Sequence, residues 1–166
     1  GHGVAASVTT GTSNTLVGGL AGDALTDADF NTAIGSSALS SDTLGSRSIA
    51  IGSDALAAQN FTTATSAHNI AIGVNAGKSV TTGTENTFVG SNCGDGTDDG
   101  RENTAVGSHA LSANCGNANT AMGRYALNVA TGASNTAIGH QSGLAVTSGI
   151  ENTFVGKNAG VGTDDG

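Results

Sequence analysis

Proline and tryptophan are absent from this chain, and aromatic residues make up only 3% of it. A conventional core depends on large side chains, because each removes much apolar area from water. Without them, 166 residues are either disordered or ordered by stacking many small, similar units. Basic residues are scarce too: five Lys and Arg against 13 Asp and Glu give a formal charge of −8. That balance argues against nucleic acid or an anionic membrane surface as partner. No apolar run approaches the roughly 18 residues that would span a bilayer, so membrane insertion is not expected of this segment. No secretory signal peptide is recognisable. Two cysteines, Cys93 and Cys115, are too few for a disulfide scaffold and lack a zinc spacing. Cys93 falls in a column otherwise filled by Ala or Ser, the place of a small buried thiol; a Cys93–Cys115 bridge is permitted but not required.

What is present is one phrase written nine times: Asn-Thr-apolar-apolar-Gly. Its glycine recurs at Gly18, Gly35, Gly52, Gly73, Gly90, Gly107, Gly123, Gly139 and Gly156. The successive intervals are 17, 17, 21, 17, 17, 16, 16 and 17. Four places before the glycine stand Asn14, Asn31, Asn69, Asn86, Asn103, Asn119, Asn135 and Asn152, with Ser48 in the remaining repeat. Next comes Thr, or Ile49 and Ile70 in two repeats, and then two apolar columns. The first is mostly Ala, with Leu16, Phe88 and Phe154; the second is Val, Ile or Met122. A longer unit is superimposed, since the stretch from Thr84 returns from Ile150, four repeats further on. This periodicity favours stacking over disorder.

So short a unit cannot hold a helical hairpin, and fixed Gly and β-branched positions disfavour helix. The expected fold is all-β: one parallel β-solenoid array over residues 1–166, of about nine coils, each with two short strands and two tight turns. At about 4.8 Å per coil the rod is about 40 Å long. Each glycine marks a turn needing positive φ or close backbone approach. The asparagines are expected to form an axial ladder bonded amide to amide, with Ser48 its weak point. The long interval is read as an inserted loop, Gln59 to His68, bulging from one turn. Adjacent strand residues face opposite ways, so one apolar column fills the coil and the other forms an outer stripe. Monomeric proteins rarely leave such a stripe bare, which predicts a homo-oligomer.

Repeats of the form Asn-Thr-Ala-Ile/Val-Gly-x-x-Ala, here "NTAIG" and its variants, resemble the head repeats of YadA-like trimeric autotransporter adhesins; similar repeats occur in fibre proteins of phages and large viruses. The resemblance covers essentially the whole chain. It implies a left-handed parallel β-roll, three chains side by side about an axis, and surface attachment. The present repeats run longer than the family's usual unit. On this reading the chain is a segment of a longer extracellular or cell-surface fibre, a stiff spacer engaged in attachment to a host surface or extracellular matrix. The alternatives are a viral tail or receptor-binding fibre carried on a virion, and an ice-binding or other array-type solenoid.

Sites for ligands are few. Asp95, Asp98 and Asp99 in "GDGTDDGREN" offer carboxylates to a calcium ion, although the spacing matches no EF-hand. Asp164 and Asp165 repeat Asp98 and Asp99, with Val161 in place of Asp95. No other cofactor is expected. "NFT" makes Asn60 a glycosylation sequon. The Thr column, Thr15 to Thr153, invites ice binding, but ice-binding faces carry two parallel ranks and here Thr is flanked in sequence by Asn and Ala. His2, His68, His109 and His140 form no shared cluster in sequence, and no nucleophile–base–orienter set is visible, so catalysis is not expected.

Overall fold

The structure is a computed structural model in which residues 2–162 are described. It is a parallel β-solenoid. Nine three-residue strands stack in one sheet: β1 (Thr15–Val17), β2 (Thr32–Ile34), β4 (Ile49–Ile51), β6 (Ile70–Ile72), β7 (Thr87–Val89), β8 (Thr104–Val106), β9 (Thr120–Met122), β10 (Thr136–Ile138) and β11 (Thr153–Val155). Every pairing is parallel and in column register, as in Thr104↔Thr120, Ala105↔Ala121, Val106↔Met122. Each of these strands opens one coil, numbered 1 to 9 below. Nine strands bound eight full turns, one fewer than nine complete coils would make. The expected two strands per coil are not found throughout. Among the described residues a second strand exists only just ahead of β4 and of β6, where β3 (Gly45–Ser46) pairs β5 (Thr65–Ser66). Elsewhere the rest of the coil bends without repeating extended pairs.

The bends explain this. Besides the phrase glycine, three positions in each coil turn through positive φ: the residue before the Asn column and those two and four places after the phrase glycine. Phe30 (φ 59), Ser37 (φ 55) and Leu39 (φ 53) illustrate the set in coil 2. A non-glycine residue there costs about 1–2 kcal/mol. Stacking offsets it, because nearly all of these amides bond a carbonyl of a neighbouring coil: Phe30 N–H to Thr12 (3.1 Å), Ser37 to Gly19 (2.8 Å), Leu39 to Ala55 (2.9 Å). The phrase glycine answers to a stricter constraint. At Gly90 (φ 138) a Cβ would stand 2.7 Å from the Gly107 carbonyl of the next coil, so only glycine lets the coils approach.

Inside the coil, bulk is shared between two columns. Ala33, Ala50, Ala105 and Ala121 are wholly buried opposite Leu39, Leu56, Leu111 and Leu127. Where the strand carries a larger residue the second column is glycine: a Cβ at Gly22 would stand 2.7 Å from Leu16, and one at Gly94 would overlap the Phe88 ring. Phe88 also fills the space above Gly77 (3.0 Å), and Phe154 that above Gly143 (3.2 Å). Each ring thus serves two coils. A core of constant width needs this exchange, since interiors tolerate neither void nor overlap.

Next to the core runs the asparagine ladder, bonded differently from the amide-to-amide expectation. From Asn14 to Asn135 each Asn Oδ1 accepts the backbone N–H of the next residue in the column: Asn86 N–H to Asn69 (2.9 Å), Asn103 to Asn86 (3.0 Å), Asn135 to Asn119 (2.9 Å), and Ser48 to Asn31 (2.8 Å). The Nδ2 groups donate to turn carbonyls, as from Asn86 to Gly100 (2.8 Å) and Asn135 to Gly149 (2.7 Å). Amide-to-amide bonds accompany these only at Asn119 to Asn103 (3.2 Å) and Asn152 to Asn135 (3.1 Å) among the described residues. Main-chain partners are fixed by the fold, so a ladder side chain satisfies two backbone groups that water cannot reach. Asn103 Nδ2 is left without a partner where the interval to the next Asn drops from 17 to 16.

Ser48 is not a bare gap in that ladder. Gln59, wholly buried, brings its amide into the same space. Its Nε2 donates to Asp42 Oδ2 (2.6 Å) and Ser48 Oγ (3.2 Å), while its Oε1 accepts from Asn69 Nδ2 (2.8 Å). Buried Asp42 also accepts the N–H groups of Gly45 and Phe61, both at 3.0 Å. The insertion therefore does not simply bulge. Gln59, Phe61 and Ala67 are buried and β5 joins a ladder, leaving Asn60, Thr62, Thr63, Ala64, Ser66 and His68 exposed.

Candidate functional site

The largest feature outside the core is the outer face of the nine-stranded sheet. Since side chains alternate, Ala faces in while Thr and Val/Ile both face out. Ala33, Ala71, Ala105, Ala121 and Ala137 are wholly buried, whereas Val17 (55% exposed), Met122 (43%) and Val155 (68%) are open. Every outward Thr is half-buried or exposed. Along the chain Thr stands between Asn and Ala, which argued against a two-rank face. In space its neighbour across the face is the Val/Ile rank, so two parallel ranks are present after all.

Two ridges border this face. The leading ridge is the column before Asn, exposed in all nine coils, and includes Phe30, Arg47, His68, Glu85, Glu102 and Glu151. The Arg47 guanidinium lies 5.0 Å from the Phe30 ring. The trailing ridge follows the phrase glycine. There Asn75 Nδ2 donates to Asn92 Oδ1 (2.9 Å), and Asn92 Nδ2 lies 3.3 Å from His109 Nε2. Ser108 Oγ lies 2.9 Å from His109 Nδ1, the His109 and Tyr125 rings are 5.1 Å apart, and Arg124 covers Tyr125 at 4.5 Å. Arg124, His140 and Lys157 are exposed on the same ridge. Column reading passes over these ridge residues because their identity varies from coil to coil.

The acidic loop does not gather its carboxylates into a cage. Asp98 accepts a short hydrogen bond from the Thr81 hydroxyl, and its N–H donates to Asn114 Oδ1 (3.0 Å). Asp99 is exposed, and Asp95 Oδ1 is enclosed without a hydrogen-bond partner. No group of three His, Cys, Asp or Glu among the described residues is arranged to hold a metal. Asp164 and Asp165 lie outside the described residues. Asn60 is exposed beside buried Phe61, and its Oδ1 accepts from Thr43 Oγ (3.2 Å).

Cys93 and Cys115 are both free and buried. Cys93 Sγ lies 3.2 Å from the Ala105 carbonyl, and Cys115 Sγ lies 3.3 Å from Thr97 Oγ. Burial pushes the Cys93 thiol from its ordinary 9.0 to about 12, and raises that of Cys115 as well. Both are chemically unreactive positions, since the thiolate is the nucleophile. No ligand-sized cavity opens among the described residues, and no helix there is long and apolar enough to cross a membrane. No protein-family model matches the chain, and searches of curated proteins and of solved structures find no match.

Proposed function

We propose that the chain is a rod segment of an extracellular homo-oligomeric fibre, acting as a stiff spacer and in attachment at a surface. One observation carries this reading: the unbroken outer face of Thr and Val/Ile, repeated over nine coils, with Val17, Met122, Ile138 and Val155 between 41% and 68% exposed. Fully burying a Val or Ile side chain contributes about 1.5–3 kcal/mol. Eight of these and Met122, most of them exposed, supply enough to hold chains side by side once neighbouring copies cover them. Stacked coils give stiffness, since each touches only its neighbours and none can bend without breaking its ladder. The segment does no chemistry in this reading, and whether the fibre belongs to a cell-surface adhesin or a virion depends on the domains around it. Sedimentation equilibrium tests the proposal. An oligomer is expected at micromolar concentration, and a stable monomer would overturn it.

A second reading has its own observation, the two-rank face. Thr and Val/Ile ranks at strand spacing form a flat array suited to ordering water as ice. It requires the face to stay uncovered, so the same measurement separates the two: a monomer showing thermal hysteresis supports the array, and an oligomer removes it.

A further inference from the structure

We propose that neighbouring copies join leading ridge to trailing ridge, parallel and coil for coil, so that the interface is registered by charge. This rests on the oligomeric reading above and goes beyond it by naming the contact surfaces and their alignment. The two ridges flank one face, so a chain whose face turns toward a common axis presents its leading ridge to one neighbour and its trailing ridge to the other. Such a contact is heterologous, and it closes into a ring only when the chains are not staggered along the axis.

The charges fit that alignment. At equal height, Arg47 of coil 3 meets Asp54, Glu102 of coil 6 meets His109, and Glu151 of coil 9 meets Lys157; no like-charged pair is created. Reversing one chain pairs coil 3 with coil 7 and coil 9 with coil 1. It also exchanges the two ridges, so leading would meet leading: Arg47 would face Ala118 and lose its partner, and Glu85 of coil 5 would oppose its own copy. Arg47, Glu102, Glu151, Arg124 and Lys157 are all exposed and available to a partner. His109 is already oriented by Ser108 and Asn92. Rim pairs of this kind set register and exclude wrong alignments more than they add affinity.

Two experiments on the 166-residue chain test this. Glu151→Lys and Lys157→Glu, made singly, each set like charges opposite one another and should weaken self-association about tenfold. The combined exchange restores the pair with its polarity reversed and should return the association constant to within about threefold of the parent. Singles without effect, or an exchange as weak as the two losses added, would overturn the pairing. In parallel, Glu102→Cys with His109→Cys should give covalent chain ladders on mild oxidation, whereas Glu102→Cys with Asn158→Cys, three coils out of register, should not. Equal trapping of both pairs, or of neither in a sample that sediments as an oligomer, overturns the register. A parent chain that is monomeric overturns the oligomer itself, so the two failures are distinguishable.

Discussion

Coils 5 and 6 and coils 3 and 4 solve one problem in two ways. In the regular pair, Asn86 satisfies the Asn103 N–H and the Gly100 carbonyl from within its own column. In the interrupted pair the column holds Ser48, and an amide arrives from Gln59 further along the chain, supported by Asp42 from the coil turn. The buried polar rank is thus a requirement of the fold, while the residue that meets it is not fixed. A coil that loses its asparagine keeps its hydrogen bonds by folding extra chain inward, and the widened glycine interval is what that takes.

The strongest blow to either region falls on the element they share, the glycine. Gly90→Ala would set a methyl 2.7 Å from the Gly107 carbonyl at φ 138. Backbone must move, because the obstacle is itself backbone, and the cost should reach about 3–5 kcal/mol. Urea unfolding followed by circular dichroism reads the loss. Amide exchange should show it centred on coils 5 and 6, since stability in stacked repeats is largely local.

Next come the two polar devices themselves. Asn86→Ala leaves one N–H and one carbonyl without their side-chain partner and should cost about 2–3 kcal/mol. Gln59→Ala removes the Nε2 donor from buried Asp42 and Ser48 and should cost about 1 kcal/mol more, because one of the groups left short is a carboxylate. Ser48→Asn sets the two devices directly against each other. It should destabilise the parent, where Gln59 occupies the space, and stabilise the Gln59→Ala background, where it does not. A double-mutant cycle by urea titration checks the change of sign; the same sign in both backgrounds would mean that Gln59 is not the substitute.

A smaller effect tests the regular region's departure from Ala or Ser in its small column, Cys93. Its thiol, raised from 9.0 to about 12 by burial, stays neutral in the fold while the unfolded chain ionises. Below about pH 9 both states hold the proton and nothing is lost. Above it the unfolded state binds fewer protons, so stability falls with rising pH by up to about 1.4 kcal/mol per unit until the folded thiol titrates. Cys93→Ala, which supplies the residue usual in that column, should flatten the slope between about pH 9 and 11 in pH-resolved melting. Part of the slope should remain, because Cys115 is raised in the same direction.

Much of this was legible in residue columns. That the two apolar columns face opposite ways follows from strand alternation, and nine nearly evenly spaced phrases leave little choice besides a solenoid. Three features escaped for physical reasons. The αL corners at Phe30 and Leu39 are imposed by inter-coil hydrogen bonds, so no Gly or Asn announces them. Nothing in the local sequence marks Gln59 and Asp42 as partners, and only the third dimension brings them together. The paired ridges vary from coil to coil, and a search for constancy passes over them.

The smallest effect belongs to the tip of the insertion, and it tests how far the inward folding of that segment goes. Phe61 and Ala67 are buried, while Thr62, Thr63 and Ala64 between them are exposed. If the anchors carry the structure, a short insertion after Thr63 only lengthens a closed loop, which costs a few tenths of a kcal/mol. The same insertion after Ala105 would push Val106 and Gly107 out of their columns and bring a side chain where only glycine fits. Thermal melting of the two variants should differ by roughly ten degrees or more. Equal tolerance would mean that the coils hold less strictly to their register than the glycine contacts require.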